Sequence, residues 1–125
     1  MTQTHLADRK QRGLAAETLA CDFLQQHGMQ TLQRNYRCRG GEIDLVMDHN
    51  GTTVFVEVRL RNNRRYGSGA DSVDRRKQHK LTIAAQHYLQ HHPARRDQLA
   101  RFDVVSIRQN GDQPVIDWID NAFQT

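Results

Sequence analysis

The sequence predicts a single α/β domain, a mixed sheet of about five strands flanked by helices in the order α-β-β-β-α-β-β. Three observations carry that expectation. Two segments repeat apolar residues at three- and four-residue spacing, and several shorter ones are β-branched and alternate in polarity. The turns between them are marked by glycine and Asn-Gly rather than by long linkers. At 125 residues the chain can build one core without disulfide or metal staples.

Residues 1–12 read as a flexible basic N-terminus carrying Arg9, Lys10 and Arg12, and residues 13–125 as the single domain. The first helix is expected over residues 13–27, with Gly28 where a C-cap glycine stands. Leu14, Ala20, Cys21 and Leu24 share a stripe, and Glu17 falls on it. A carboxylate there is either an amphipathic edge position or a group with a partner. A short strand follows at 30–36, then the basic turn Arg37-Cys38-Arg39-Gly40-Gly41.

Next comes the most informative stretch, GGEIDLVMDHNGTTVFVEVRLR. Two apolar runs, 43–47 and 54–58, flank Asn50-Gly51, the strongest short-range hairpin signal. A two-residue turn there makes facing residues sum to 101, so Asp44 faces Glu57 and Glu42 faces Arg59. Directly opposed Cβ atoms are roughly 4.5 to 5.5 Å apart. By alternation Glu42, Asp44, Glu57 and Arg59 then share one face. Such a group is either a salt-bridged hairpin surface or a place to hold a divalent metal.

The following loop carries Arg61, Arg64, Arg65 and Tyr66, a cluster suited to phosphate contacts and base stacking, although charge runs are more often solvated loops. Asp71 or Ser72 is placed to cap the second helix, which ends near His91 before Pro93. Leu81, Ala84, Ala85 and Tyr88 form its buried stripe, which extends back through Lys77 to Val73. Lys77 is therefore expected to face the sheet, with Arg75, Arg76 and Lys80 adding positive charge nearby. His87 and His91 are four apart but lack a third ligand and read as solvated. Strands at 101–107 and 115–119 close the chain around Asn110-Gly111-Asp112, with Trp118 and Phe123 as packing residues.

The formal charge is +4, and of the 18 basic residues only three are lysine, a balance that favours anionic partners. No segment approaches the roughly 20 apolar residues of a membrane span, and the polar start is not a secretory leader. Cys21 and Cys38 form no C-x-x-C and read as reduced thiols in a cytoplasmic protein.

The run GEIDLV, then FVEVRLR, the lysine-bearing helix, RFDVVSI and the final NAF resemble the bacterial YraN-like family over residues 13–123. That family is related to Holliday-junction resolvases and to the PD-(D/E)XK nucleases, so the resemblance implies a restriction-endonuclease-like fold. The superfamily pattern is an acidic residue on the first helix, an Asp, then Glu-x-Lys on the next strand. Glu17, Asp44 and Glu57 match its acidic places, and Arg59 stands where the pattern has lysine. Arginine keeps the charge but cannot serve as a base, and Lys77, pointing inward, would partly substitute.

The resemblance further implies that Asp44, Glu57 and the backbone carbonyl of Val58 hold Mg²⁺ or Mn²⁺. An activated water would attack a phosphodiester while Arg59 offsets charge and Glu17 tunes the site. Nucleic-acid contacts are expected from Arg61, Arg64, Arg65, Tyr66, Arg75 and Arg76. The expected partner is nucleic acid, DNA first and branched DNA in particular, with a homodimer left open and no membrane. Two other readings compete: a nucleic-acid-binding module with weak or absent cleavage, as Arg59 permits, and an interaction protein whose acidic cluster is a salt-bridge network.

Overall fold

The computed structural model describes residues 3–61 and 73–124, with side chains described from Lys10 onward. The elements are α1 (Gln3–Gln26), β1 (Gln30–Cys38), β2 (Gly41–His49), β3 (Thr52–Arg61), α2 (Arg75–His91), a short 3-10 turn (Pro93–Arg95), β4 (Ala100–Asn110) and β5 (Gln113–Phe123). The five strands form one sheet in sequence order. Only the β3–β4 pair is parallel; the others are antiparallel, so α2 serves as the β3–β4 crossover. The expected element order and mixed sheet are both present.

Among the described residues each face of the sheet carries one α-helix. Ala16, Ala20, Cys21 and Leu24 of α1 pack on Leu45, Met47, Val54, Val56 and Val105. Leu81, Ala84, Ala85 and Tyr88 of α2, with Val73 just before it, pack on Val46, Phe55 and Val104 on the other face. The α2 stripe is the one its spacing predicts. The α1 stripe is shifted: Leu14 is exposed and Ala16 is buried in its place.

Helix α1 starts at Gln3, well before the expected residue 13. Gly13 looked like a boundary, but a lone helical glycine costs only about 1 kcal/mol against alanine, and good helix formers surround it. At the other end Gly28 has φ +91°, and the Gly28 and Met29 amides donate to the carbonyls of Gln25 and Leu24, the left-handed cap expected there. Helix α2 is capped by Asp74, whose Oδ1 accepts from the Lys77 amide at 2.9 Å. The expected caps, Asp71 and Ser72, lie outside the described residues.

Gly41 fixes how closely α2 approaches the sheet. A Cβ there would lie 2.9 Å from the Ala84 amide nitrogen and closer still to the Lys80 carbonyl oxygen. Gly41→Ala should therefore destabilise the fold by about 1–3 kcal/mol in urea denaturation, the usual cost of overpacking. An unchanged midpoint would mean that the contact relaxes freely.

Candidate functional site

The hairpin turn at Asn50 (φ +54°) and Gly51 (φ +93°) is the tight two-residue kind that both positive angles require. It sets the expected register, pairing His49 with Thr52 through Leu45 with Val56. There the paired ladder stops. The Val58 amide donates instead to Asp44 Oδ2 at 2.8 Å, so a side chain takes the place of a strand partner.

On β1 the pairs pass from Arg34–Leu45 to Tyr36–Ile43, and Asn35, beside Asp44, has φ +54°. Alternation slips at this point. Ile43 packs on the α2 face with Val46, while Leu45 packs on the α1 face. The backbone ladder thus opens locally between β2 and β3 past Leu45–Val56, although the side chains of Asp44 and Glu57 still meet. Glu42 is exposed and pairs with Arg37 at 3.7 Å rather than with Arg59.

Four candidates gather at the opening. Glu57, only 4% exposed, faces α2 and receives Lys77 Nζ on its Oε2 at 3.0 Å. Arg59 Nη1 lies 3.7 Å from the same oxygen, an ion-pair distance rather than a hydrogen bond. Asp44 has its pKa raised to about 7, first by burial and then by the charge and side-chain hydrogen bond of Glu57. Its bond from the Val58 amide and the Lys77 charge act the other way. In an extended strand a residue's N–H and C=O leave on one edge, so the Val58 carbonyl faces the same gap as its amide.

Glu17 joins this group electrically. Its pKa is raised by burial and then by the Asp44 charge, and is drawn back by Asn35, Arg34 and Arg37. Its Oε1 is buried with no hydrogen-bond partner among the described residues, and Arg34 approaches only to 3.8 Å. The stripe position of Glu17 thus places a partly compensated carboxylate near Asp44.

As a metal centre the opening offers two carboxylates and a backbone carbonyl. Among the described residues no group of three or more His, Cys, Asp or Glu side chains converges closely enough to hold an ion. The donor set still fits a hard cation such as Mg²⁺, which binds through one or two carboxylates and keeps several waters. Glu17 stands outside that set. His87 and His91 are engaged elsewhere: His87 Nδ1 meets the Tyr36 hydroxyl, and the His91 ring stacks on His87.

Of the expected nucleic-acid residues, Arg61, Arg75 and Arg76 are among those described. Arg76 lines a cleft beside Lys77, and Arg75 is exposed in the first turn of α2. Arg61 lines a hollow with Arg12, Leu19 and Leu60 against α1. Arg64, Arg65 and Tyr66 lie outside the described residues.

Sequence reasoning missed Asp103, which is fully buried. It accepts from Arg101 Nε at 3.0 Å, Trp118 Nε1 at 2.9 Å and the Asn121 amide at 2.9 Å. Arg101 also reaches His49 Nδ1 at 3.0 Å, which ties β4 to the end of β2. The signal was present: Asp103 shares the parity of Val105 and Ile107 on an otherwise apolar face, two residues from an arginine.

Fold and site together define a small α/β protein with a carboxylate pair, flanked by cations, where its central hairpin parts. Residues 16–107 match the model described as Uncharacterised protein family UPF0102. A UPF0102 protein of Aeromonas hydrophila subsp. hydrophila is 51% identical over 90% of this chain and 84% of its own length. Those of Nitrosococcus oceani and Xanthomonas axonopodis pv. citri are 44% and 48% identical, each over 94% of this chain and 95% of their own length. The chain belongs to the UPF0102 family, the YraN-like proteins that its motifs resemble. Among the described residues no helix is long and apolar enough to cross a membrane.

Proposed function

We propose that this protein binds nucleic acid and acts as a divalent-metal-dependent endonuclease of the PD-(D/E)XK kind, with branched DNA as the foremost substrate and an activity that is weak or conditional. One observation carries the reading. Where the ladder opens, Asp44 has its pKa raised to about 7, first by burial and then by the charge and side-chain hydrogen bond of Glu57. Two buried like charges destabilise a fold unless a cation offsets them, and perturbed carboxylates cluster at functional sites.

Asp44, Glu57 and the Val58 carbonyl would hold Mg²⁺ or Mn²⁺, which when bound supplies Lewis acidity to water and to a phosphoryl oxygen. The chain's own groups do the rest. Lys77 orients the Glu57 carboxylate and adds a compact ammonium charge beside it. Arg59 contributes positive charge toward a phosphodiester but no base. Glu17 acts on the site through Asp44.

The test is incubation of labelled four-way and linear DNA with Mg²⁺ or Mn²⁺, wild type against Glu57→Gln. Metal-dependent cuts that disappear in the variant are expected. Arg59→Lys should raise cleavage with little change in DNA affinity, because the compact ammonium can shift its pKa when desolvated. Cleavage absent from both wild type and Arg59→Lys, on every substrate with Mn²⁺, would retire the nuclease.

A second reading has its own observation. Lys77 and Arg59 already place two cations on Glu57. That compensation suits a module that binds nucleic acid without cutting it. Binding that persists without metal and without cleavage would select it.

A further inference from the structure

Beside the opening, two clefts of about 370 and 360 Å³ share Glu42 and Lys80 in their walls. One reaches from Arg76 and Lys77, the other to Arg37, Cys38 and Gly40, so together they form a trough leading away from Glu57. We infer that this trough is a binding site for the phosphodiester backbone of a nucleic-acid strand, with Lys80 as its central phosphate contact. The inference rests on the functional reading above and adds a path for the substrate along α2 and the turn between β1 and β2.

The charges favour an anionic occupant. Of the two acids in the walls, Asp74 is engaged in capping α2 and Glu42 faces Arg37 at 3.7 Å. Lys77 is held by Glu57. Lys80 and Arg76 are exposed, and among the described residues neither has a carboxylate within ion-pair distance. Lys77 and Lys80 are three residues apart on α2, so their Cβ atoms lie about 5–6 Å apart on one helix surface. A strand whose reacting phosphate sits at Glu57 would carry its next phosphates along this line.

The trough is also rigidly tied to the carboxylates. Gly41, in its wall, is pressed against the Lys80 carbonyl and Ala84, and β2 runs from there directly to Asp44. The contact sets the position of Lys80 relative to Asp44, as a subsite must be set relative to a reacting centre.

The experiment measures binding of a labelled DNA duplex across a salt series in Ca²⁺ buffer, for wild type, Lys80→Ala and the double variant Lys80→Ala/Arg37→Ala. Both sites are exposed, so folding should be kept, and circular dichroism verifies it. Each lost phosphate contact should lower the log–log salt slope by about 0.9, while calorimetric Mn²⁺ affinity stays at the wild-type value. An unchanged slope in both variants, with wild type still binding DNA, would overturn the trough and leave the functional reading standing. Wild type that binds no DNA would overturn both. Equal weakening toward poly-glutamate would reassign the trough to acidic protein and overturn the nucleic-acid assignment.

Discussion

Asp44→Asn should make the metal-free protein more stable at pH 8 than the wild type, by up to about 4 kcal/mol, and nearly equal to it at pH 4. The bound is the shift of Asp44 from 3.8 to about 7 taken at about 1.4 kcal/mol per pH unit. The sign follows from proton counting. Between pH 4 and 7 the folded state binds a proton on Asp44 that the unfolded chain has released, so stability falls as pH rises through that window. Asparagine keeps an oxygen for the Val58 amide and removes the charge beside Glu57. Asp48 works the other way: its hydrogen bond from Arg95 lowers its pKa, so it contributes stability that is lost only as pH falls below the ordinary carboxylate range. Urea denaturation of both proteins at pH 4, 6 and 8 gives the comparison. Parallel profiles would mean that Asp44 is ionised at no cost in the fold.

Asp103→Ala should destabilise the protein by about 3–5 kcal/mol, the range for removing one partner of a buried ion pair. The carboxylate is fully buried, and without it the Arg101 guanidinium, the Trp118 indole N–H and the Asn121 amide lose their acceptor together. Asp103→Asn should lose less, because one amide oxygen can still serve two of these donors. The measurement is again urea denaturation, with Trp118 fluorescence as the local signal. A loss below about 1 kcal/mol would show that water or a shifted Arg101 replaces the carboxylate.

The two carboxylates differ in how far the sequence discloses them. Asn50-Gly51 encodes its turn locally, and the register it sets holds as far as Leu45–Val56. Beyond that pair, counting by twos fails because Asp44 accepts the Val58 amide and the alternation of β2 slips, a choice made by burial and by β1 rather than by the hairpin. The site still contains Asp44, Glu57, Arg59 and Lys77, since the α2 spacing that placed Lys77 toward the sheet depends only on helical period. Asp103 escaped because β4 was read for its β-branched residues, and a carboxylate inside such a run looks solvent-facing until its strand parity is compared. The helix ends are least legible. Gly13 and Ser72 carry boundary chemistry, while the helices begin at Gln3 and Arg75.

The central claim is that Asp44 and Glu57 form one divalent-cation site. Calorimetric titration of Mn²⁺ into wild type and Glu57→Gln at pH 6 and pH 8 tests it most directly. The account predicts one ion per chain, bound more tightly at pH 8 because Asp44 must give up a proton near 7, and binding lost in the variant. Mn²⁺ affinity that is the same in wild type and Glu57→Gln, or absent from wild type at both pH values, would contradict it and leave the opening as a salt-bridged carboxylate pair.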